Sequence, residues 1–143
     1  MILLLLACGD PCSPGANPTL EIGIGRDAYE PVEDGDTTPV TQGPQGGYHI
    51  ELAIETTRLN EKDPGTATAT GHVEGELLAQ AQPWFQVECD GEVQHASGIR
   101  LFVNAVPDDI LGLEMVVDMI VEDSRGKRAQ ASKTLTVGDV VVQ

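Results

Sequence analysis

The chain has 143 residues and a formal net charge of -15, from 23 acidic and 8 basic side chains. This length fits one domain with a single hydrophobic core, and a surface of this sign repels phosphate backbones, which argues against nucleic-acid binding. Hydrophobic residues make up 41% of the chain and are mostly aliphatic, which excludes a polypeptide that is disordered throughout.

The first ten residues run from an apolar stretch (2–6) into Ala7 and Cys8, followed by a polar sequence. Leu5-Leu6-Ala7-Cys8 resembles the lipobox of bacterial lipoprotein signal peptides, in which a small residue precedes a cysteine that is diacylated and becomes the new N-terminus. The resemblance implies that acyl chains on Cys8 anchor the chain in a lipid bilayer, each buried methylene contributing about 0.8 kcal/mol. The alternatives are an apolar N-terminal strand and a secretory signal that is cleaved elsewhere.

Signal peptides carry Lys or Arg before the apolar region, and neither precedes Ile2 here. We therefore expect residues 1–7 to be the end of a signal peptide whose true start lies upstream. Gly9, rather than Asp, follows the cysteine. In the sorting rule known for Gram-negative lipoproteins, this difference favours the outer membrane over the inner membrane. The expected location is therefore the outer membrane of the cell envelope, on its periplasmic face or at the cell surface.

Residues 8–18 are rich in Gly, Pro, Asn and Ser, which predicts a flexible, lipid-anchored tether before a domain at 19–143. If Cys8 is lipidated, two cysteines remain, Cys12 and Cys89. An exported protein reaches a compartment where disulfides persist. We expect the two cysteines to pair, closing a long loop that contributes on the order of 4 kcal/mol in the chain-entropy model. The alternative is a buried thiol at Cys89 and a free thiol at Cys12.

Four acidic side chains crowd an early segment of the domain. Carboxylates close in sequence suit weak extracellular Ca²⁺ binding, although their spacing does not match an EF-hand. The competing interpretation is a solvated acidic loop. The candidate Ca²⁺ ligands are Glu30, Glu33, Asp34 and Asp36.

The domain is predicted to consist of short strands, because apolar alternations bounded by turn residues follow one another without helical periodicity. The clearest strand has Tyr48, Ile50, Leu52 and Ile54 on one face and mostly polar residues on the other. Trp84 and Phe85 are adjacent, so at least one of them belongs to the core. Weaker strands are predicted at Leu20–Ile24, Thr66–Leu78, Trp84–Cys89 and Ile99–Val106.

A second possible metal site lies within the predicted strand Thr66–Leu78. His72, Glu74 and Glu76 would share one strand face and present nitrogen and oxygen ligands to a metal such as Zn²⁺. Alternating polar residues are also what the solvent face of a strand looks like, and the same holds for His49 with Glu51.

The end of the chain predicts a hairpin. Leu113, Met115, Val117, Met119 and Val121 form an inward row, and Val116 and Ile120 suggest a central strand with both faces partly covered. Asp123-Ser124-Arg125-Gly126 is typical of a turn. Residues 119–137 resemble the last hairpin of bacterial immunoglobulin-like domains, and 34–49 is similar to a segment of uncharacterised envelope lipoproteins. Together these features predict an all-β fold, a single antiparallel sandwich of about seven strands of the immunoglobulin or fibronectin type.

No catalytic motif such as G-x-S-x-G or a phosphate-binding glycine loop is present in the sequence. We expect a structural or protein-interaction module, without catalysis, held at the outer membrane by acylated Cys8 and engaging an unknown envelope protein. The alternative is a module that binds Ca²⁺ or another cation through 30–36. A hydrolase is third, because catalytic triads assemble from residues distant in sequence.

Overall fold

The computed structural model describes residues 9–143, so the predicted signal peptide (1–7) and the lipidation position Cys8 lie outside the described residues. Apart from one short helix, the described elements are strands. They are β1 (Thr19–Ile24), β2 (Thr37–Gln42), β3 (Tyr48–Thr57), β4 (Gly65–Val73), β5 (Glu76–Ala81), β6 (Trp84–Phe85), β7 (Glu88–Cys89), β8 (Gln94–Val103), α1 (Pro107–Ile110), β9 (Glu114–Glu122) and β10 (Arg128–Val142). The all-β prediction is confirmed, with ten strands within 9–143 where about seven were expected.

The strands form one sheet that closes on itself through seven of them, in the circuit β3, β2, β10, β9, β4, β5, β8 and back to β3. The three remaining strands lie outside this circuit: β1 pairs with β3, β6 pairs with β4, and β7 pairs with β8. Pairs are antiparallel except β2 with β10, which run parallel. Two of the closing pairings, β2 with β3 and β5 with β8, are only two residues long.

The interior is filled by inward-facing aliphatic side chains, because alternate residues of each strand point to the same side. Met115, Val117, Met119 and Val121 of β9 are buried, as predicted, and Leu113 packs against this core. In β3 the predicted inward residues Ile50, Leu52 and Ile54 have no exposed area.

The expected polar face of β3 is also covered. Ala53 has no exposed surface and His49 is buried. Over Ala53 the cover comes from the loop after β1, because Tyr29 packs on Gly23, the residue that pairs with Ala53. His49 lies against Phe102 instead, with ring centroids 6.2 Å apart. Burial on both faces of β3 is therefore a product of tertiary packing.

Strand β9 is less covered on its outer side. It lies centrally between β4 and β10, as predicted, and Val116 and Ile120 are 41% and 45% exposed. The prediction of a central strand with both faces partly covered is therefore confirmed, and the outer face of β9 is the more exposed of the two.

Three predicted strands have clearly different bounds in the structure. Trp84–Cys89 is not continuous: residues 86–87 separate β6 from β7, and these two short strands pair with different neighbours. Thr66–Leu78 is split by a turn at Glu74-Gly75, whose φ angles of 52° and 80° suit the tight hairpin turn between β4 and β5. Of the predicted strand Ile99–Val106, residues 99–103 belong to β8, which begins earlier, at Gln94. Residues 104–106 lie outside the strand and lead into α1, which has Pro107 in its first turn. Phe85 is buried and Trp84 is exposed, which confirms that one of the two belongs to the core.

Candidate functional site

The N-terminal segment meets the domain at one end of the closed sheet. We call this region the anchor end and define it by residues 10–18, the loop 58–64, and the turns 90–93 and 123–127. Register shows that these parts lie together, because Thr57 at the end of β3 pairs with Thr19, and Glu122 at the end of β9 pairs with both Thr66 and Arg128.

Cys12 and Cys89 form a disulfide at the anchor end, as predicted, with their Cα atoms 5.7 Å apart. Cys12 is buried. Backbone hydrogen bonds continue the attachment: Arg58 N donates to Pro11 O at 2.6 Å, and Gly15 N donates to Arg58 O at 3.2 Å. Residues 11–16 of the predicted tether (8–18) are therefore held against the domain, which corrects the expectation of a free spacer.

Gln94 lies beneath this attachment and is completely buried. Its Oε1 accepts hydrogen bonds from Thr56 Oγ1 at 3.2 Å and Leu59 N at 3.1 Å. Its Nε2 donates to Cys12 O at 3.2 Å and Leu59 O at 2.8 Å. A single buried amide thus joins the N-terminal segment to the end of β3 and the start of β8. The sequence offered no signal for this role.

Asp123 closes the anchor end on its other side. The side chain is buried, and its Oδ2 accepts from Asn60 N at 2.9 Å. Its Oδ1 accepts from Arg125 N and Lys127 N, each at 2.9 Å. The predicted turn after β9 is confirmed, and the same carboxylate that shapes this turn also fixes the loop 58–64.

A second surface is the outward side of β10, β9, β4, β5 and the end of β8, which we call the outer face. Directly paired residues share a face, so the register defines its rows. One row contains Thr134, Val116, His72 and Leu77; the next contains Ser132, Asp118, Thr70, Gln80 and Phe102; the row nearest the anchor end contains Arg128, Glu122, Thr66 and Trp84.

The outer face combines exposed apolar side chains with hydroxyl groups. Leu77, Phe102, Val116 and Ile120 are each more than 40% exposed, and threonines of β4 lie between them. Of its charged groups, Glu122 is paired with Arg128, whose Nε donates to it, and Asp118 accepts a hydrogen bond from the neutral hydroxyl of Ser132.

The acidic loop uses its carboxylates to position the backbone. Asp34 Oδ1 accepts from Thr134 N at 2.8 Å, and Asp36 Oδ2 accepts from Glu33 N at 2.9 Å. These bonds attach the loop to β10. Within residues 9–143, no three His, Cys, Asp or Glu side chains, including Glu30, Glu33, Asp34 and Asp36, are grouped for metal binding. Calcium binding at 30–36 stays a prediction.

His72, Glu74 and Glu76 do not share one strand face, contrary to expectation. The hairpin turn at Glu74-Gly75 separates them, so that His72 pairs with Leu77 across the hairpin and Glu76 pairs with Val73. The sequence pattern suggested a continuous strand because the alternation of polar residues runs through the turn without a break.

His49 and Glu51 contact each other: His49 Nε2 lies 2.8 Å from Glu51 Oε1, and both side chains are largely buried. Arg100 Nε lies 3.7 Å and Gln143 Nε2 lies 3.4 Å from the same oxygen, so the group links β3 to β8 and to the chain's last residue. Glu51 Oε2 is buried without a hydrogen-bond partner among residues 9–143. The pair is placed to connect strands.

His95 is the centre of a second polar group, beside a cavity of about 540 Å³. Its Nε2 lies 2.9 Å from Glu55 Oε2, and its ring stacks on Tyr29 with centroids 4.9 Å apart. Backbone N–H groups of Val93 and Glu92, and more weakly His95, hold the pKa of Asp90 below its usual range. In the described part of the chain no hydroxyl or thiol hydrogen-bonds to His95, so this group lends the hydrolase hypothesis no support.

Across residues 9–143, the structure contains no helix that is long and apolar enough to cross a membrane. No family model matches the sequence, and the search of curated proteins found no similar chain.

Proposed function

We propose that this chain is an exported envelope lipoprotein, anchored by acylated Cys8 in the outer membrane, that acts as a structural or protein-interaction module. The observation that carries the proposal is the disulfide between Cys12 and Cys89, because disulfides form and persist in oxidising compartments such as the bacterial periplasm. The first cysteine of this disulfide, Cys12, lies four positions after Cys8 of the lipobox-like sequence. Two independent features of the N-terminal region thus support export.

We also propose that the closed sheet is an immunoglobulin-like sandwich whose two sheets meet at their edges. The order β1, β3, β8, β7 corresponds to strands A, B, E and D of such domains, and β10, β9, β4 corresponds to G, F and C, with β5 beside C. The pairings that close the circuit, β2 with β3 and β5 with β8, are the short ones. This division fits two sheets joined along short contacts.

The outer face is the surface through which the module would bind a protein partner. Val116 and Ile120 are exposed in the middle of a central strand, where the alternating pattern of a solvated sheet would have polar residues. A partner that covered them would bury aliphatic area between threonine hydroxyls able to hydrogen-bond across the interface.

The intact mass of the protein purified from its native membrane tests the anchor and the disulfide together. We expect a chain that begins at Cys8 and carries acyl groups, whose mass rises by about two hydrogens on reduction. The Cys8→Ser variant is the control and should lose the acyl mass while keeping the change on reduction. An unmodified chain beginning upstream of Cys8 would contradict the lipoprotein proposal.

Photo-crosslinking in intact cells tests the outer face. We expect a photoreactive residue in place of Ile120 to give a discrete adduct with an envelope protein, because this side chain is 45% exposed and points outward from a central strand of the outer face. The matched control is the same residue in place of Gln45, which is exposed in the turn between β2 and β3. Equal adducts from both positions, or none from position 120, would count against an interaction surface there.

A further inference from the structure

Two exposed aromatic side chains lie on the outer face, at the two ends of a short series of neutral polar residues. Trp84 is 74% exposed and Phe102 is 60% exposed. Trp84 pairs with Thr66 of β4, and Phe102 pairs with Gln80 of β5, which in turn pairs with Thr70 of β4. Directly paired residues share one face of a sheet, so both rings are directed outward from the same surface.

The register gives the separation of the two backbone positions. Thr66 and Thr70 are four positions apart along β4, which corresponds to about 13 Å at the usual rise of a strand. Phe102 lies one strand further across the sheet than Trp84, which adds about 5 Å in that direction. A single small molecule therefore reaches only one of the rings, whereas an extended chain of several units can contact both.

We call these two rings and the residues between them the aromatic strip. No member of the strip carries a charge, although charged residues make up 22% of the chain. Asp118 and Glu122 of β9 border it, and Arg100 lies two positions before Phe102 on β8. The strip is a neutral surface on an acidic protein, so an uncharged ligand meets no electrostatic repulsion there. Its members are Thr66, Thr68, Thr70, Gln80, Gln82, Trp84 and Phe102.

The polar side chains of the strip are available for binding. They are three threonines and two glutamines, of which four are exposed and Thr70 is half-buried. Among the side-chain hydrogen bonds of residues 9–143 none involves these five, whereas Asp118 and Ser132 in the row of Thr70 bond to each other. A hydroxyl group and a primary amide each donate and accept hydrogen bonds. They therefore match the hydroxyl groups of a sugar, which also do both.

A cavity of about 240 Å³ lies within the strip, beside Phe102. Its polar lining comes from Thr68, Thr70, Gln80 and Gln82. The negative face of an aromatic ring attracts the CH groups on the flat side of a pyranose ring, while a few placed polar groups fix the orientation of a ligand. The cavity brings both kinds of contact together.

From the two outward rings, the neutral polar groups between them and the cavity beside Phe102, we propose that the aromatic strip binds an uncharged, β-1,4-linked polysaccharide. This linkage keeps successive pyranose rings in an extended ribbon, whose CH faces can reach both Trp84 and Phe102. Hydroxyl groups at the edges of the ribbon bond to the threonine and glutamine side chains. This ligand is distinct from the protein partner proposed above, and its binding does not depend on acylation of Cys8.

Fluorescence titration of the full chain tests the proposal directly, because Trp84 is the only tryptophan. The probes are cellohexaose and chitohexaose, two neutral β-1,4-linked oligosaccharides. We expect at least one of them to shift the emission of Trp84 to shorter wavelength in a saturable manner, since a bound sugar ring displaces water from the indole. The absence of a saturable change with both probes would overturn the proposal.

Phe102→Ala distinguishes binding by the strip from unspecific adsorption. Its dissociation constant, measured through Trp84, should rise about tenfold, as expected when one central aromatic contact is lost. Leu111→Ala is the matched control, because Leu111 is 48% exposed at the end of α1, outside the outer face. The control should bind as the wild type does, and both variants should keep the wild-type melting temperature because both side chains are exposed. Wild-type affinity of Phe102→Ala would contradict the proposal.

Trp84→Ala removes the fluorophore, so its affinity is measured by isothermal titration calorimetry and should also fall about tenfold. Photo-crosslinking identifies the alternative occupant, the protein partner. A photoreactive residue in place of Phe102 that forms an adduct with an envelope protein, in a chain whose wild type binds neither oligosaccharide, would assign the strip to that partner and overturn the proposal.

Discussion

Replacing both cysteines, in the variant Cys12→Ala/Cys89→Ala, is expected to lower the free energy of unfolding by about 4.5 kcal/mol. In the chain-entropy model this value follows from a bridge between residues separated by 77 positions, which restricts the unfolded chain strongly. The native state also loses a covalent attachment of segment 11–16, so its backbone bonds to Arg58 become easier to open. Urea denaturation under oxidising conditions measures the effect.

Reduction of the wild-type protein is the internal control for this variant. The reduced wild type and the double variant should unfold at nearly the same urea concentration, and reductant should not change the variant further. A loss below about 1 kcal/mol would mean that the remaining contacts of the N-terminal segment restrict the chain without the bridge, and it would contradict the stabilising role assigned to the disulfide.

Gln94→Leu is expected to destabilise the fold by about 3 kcal/mol or more. Leucine is similar in size but cannot replace the amide, so it leaves Leu59 N, Leu59 O and Cys12 O buried without partners. Each buried polar group that loses its hydrogen bond costs roughly 1–3 kcal/mol, since water cannot reach it. Thermal and urea unfolding followed by circular dichroism measure the loss.

Gln130→Leu is the matched control, because Gln130 is exposed on β10 and should change stability by no more than about 0.5 kcal/mol. The contacts of Gln94 also predict coupling to the disulfide. In the Cys12→Ala/Cys89→Ala background, Gln94→Leu should cost less than in the wild type, because the detached segment exposes Cys12 O to water. Full additivity would argue that Gln94 acts only through Leu59.

Local patterns were sufficient for several elements. The alternation of Ile50, Leu52 and Ile54 identified β3, and the inward row from Met115 to Val121 with the turn at 123–126 identified the terminal hairpin. These predictions succeeded because a strand repeats every two residues and a tight turn depends on a few adjacent residues. Cysteine parity likewise pointed to the bridge between Cys12 and Cys89.

Sequence patterns were insufficient where the same local pattern is compatible with more than one structure. The alternation of His72, Glu74 and Glu76 continues through a hairpin turn, so it concealed the boundary between β4 and β5. The sequence pattern predicted partial cover for Val116 and Ile120 but not its extent, and the two side chains are 41% and 45% exposed. Whether an apolar residue is buried depends on whether another element packs over it, and residues near it in sequence do not report this.

By itself, the sequence determined the all-β class, the principal strands and the acidity of the chain, because each of these follows from composition or from neighbouring residues. Cysteine parity predicted the bridge between Cys12 and Cys89 and left one alternative open. Only the tertiary structure decided that the sheet closes on itself, that β2 and β10 run parallel, and that Gln94 secures the N-terminal segment. These features join residues far apart in the chain, and such contacts form only when the whole core is assembled.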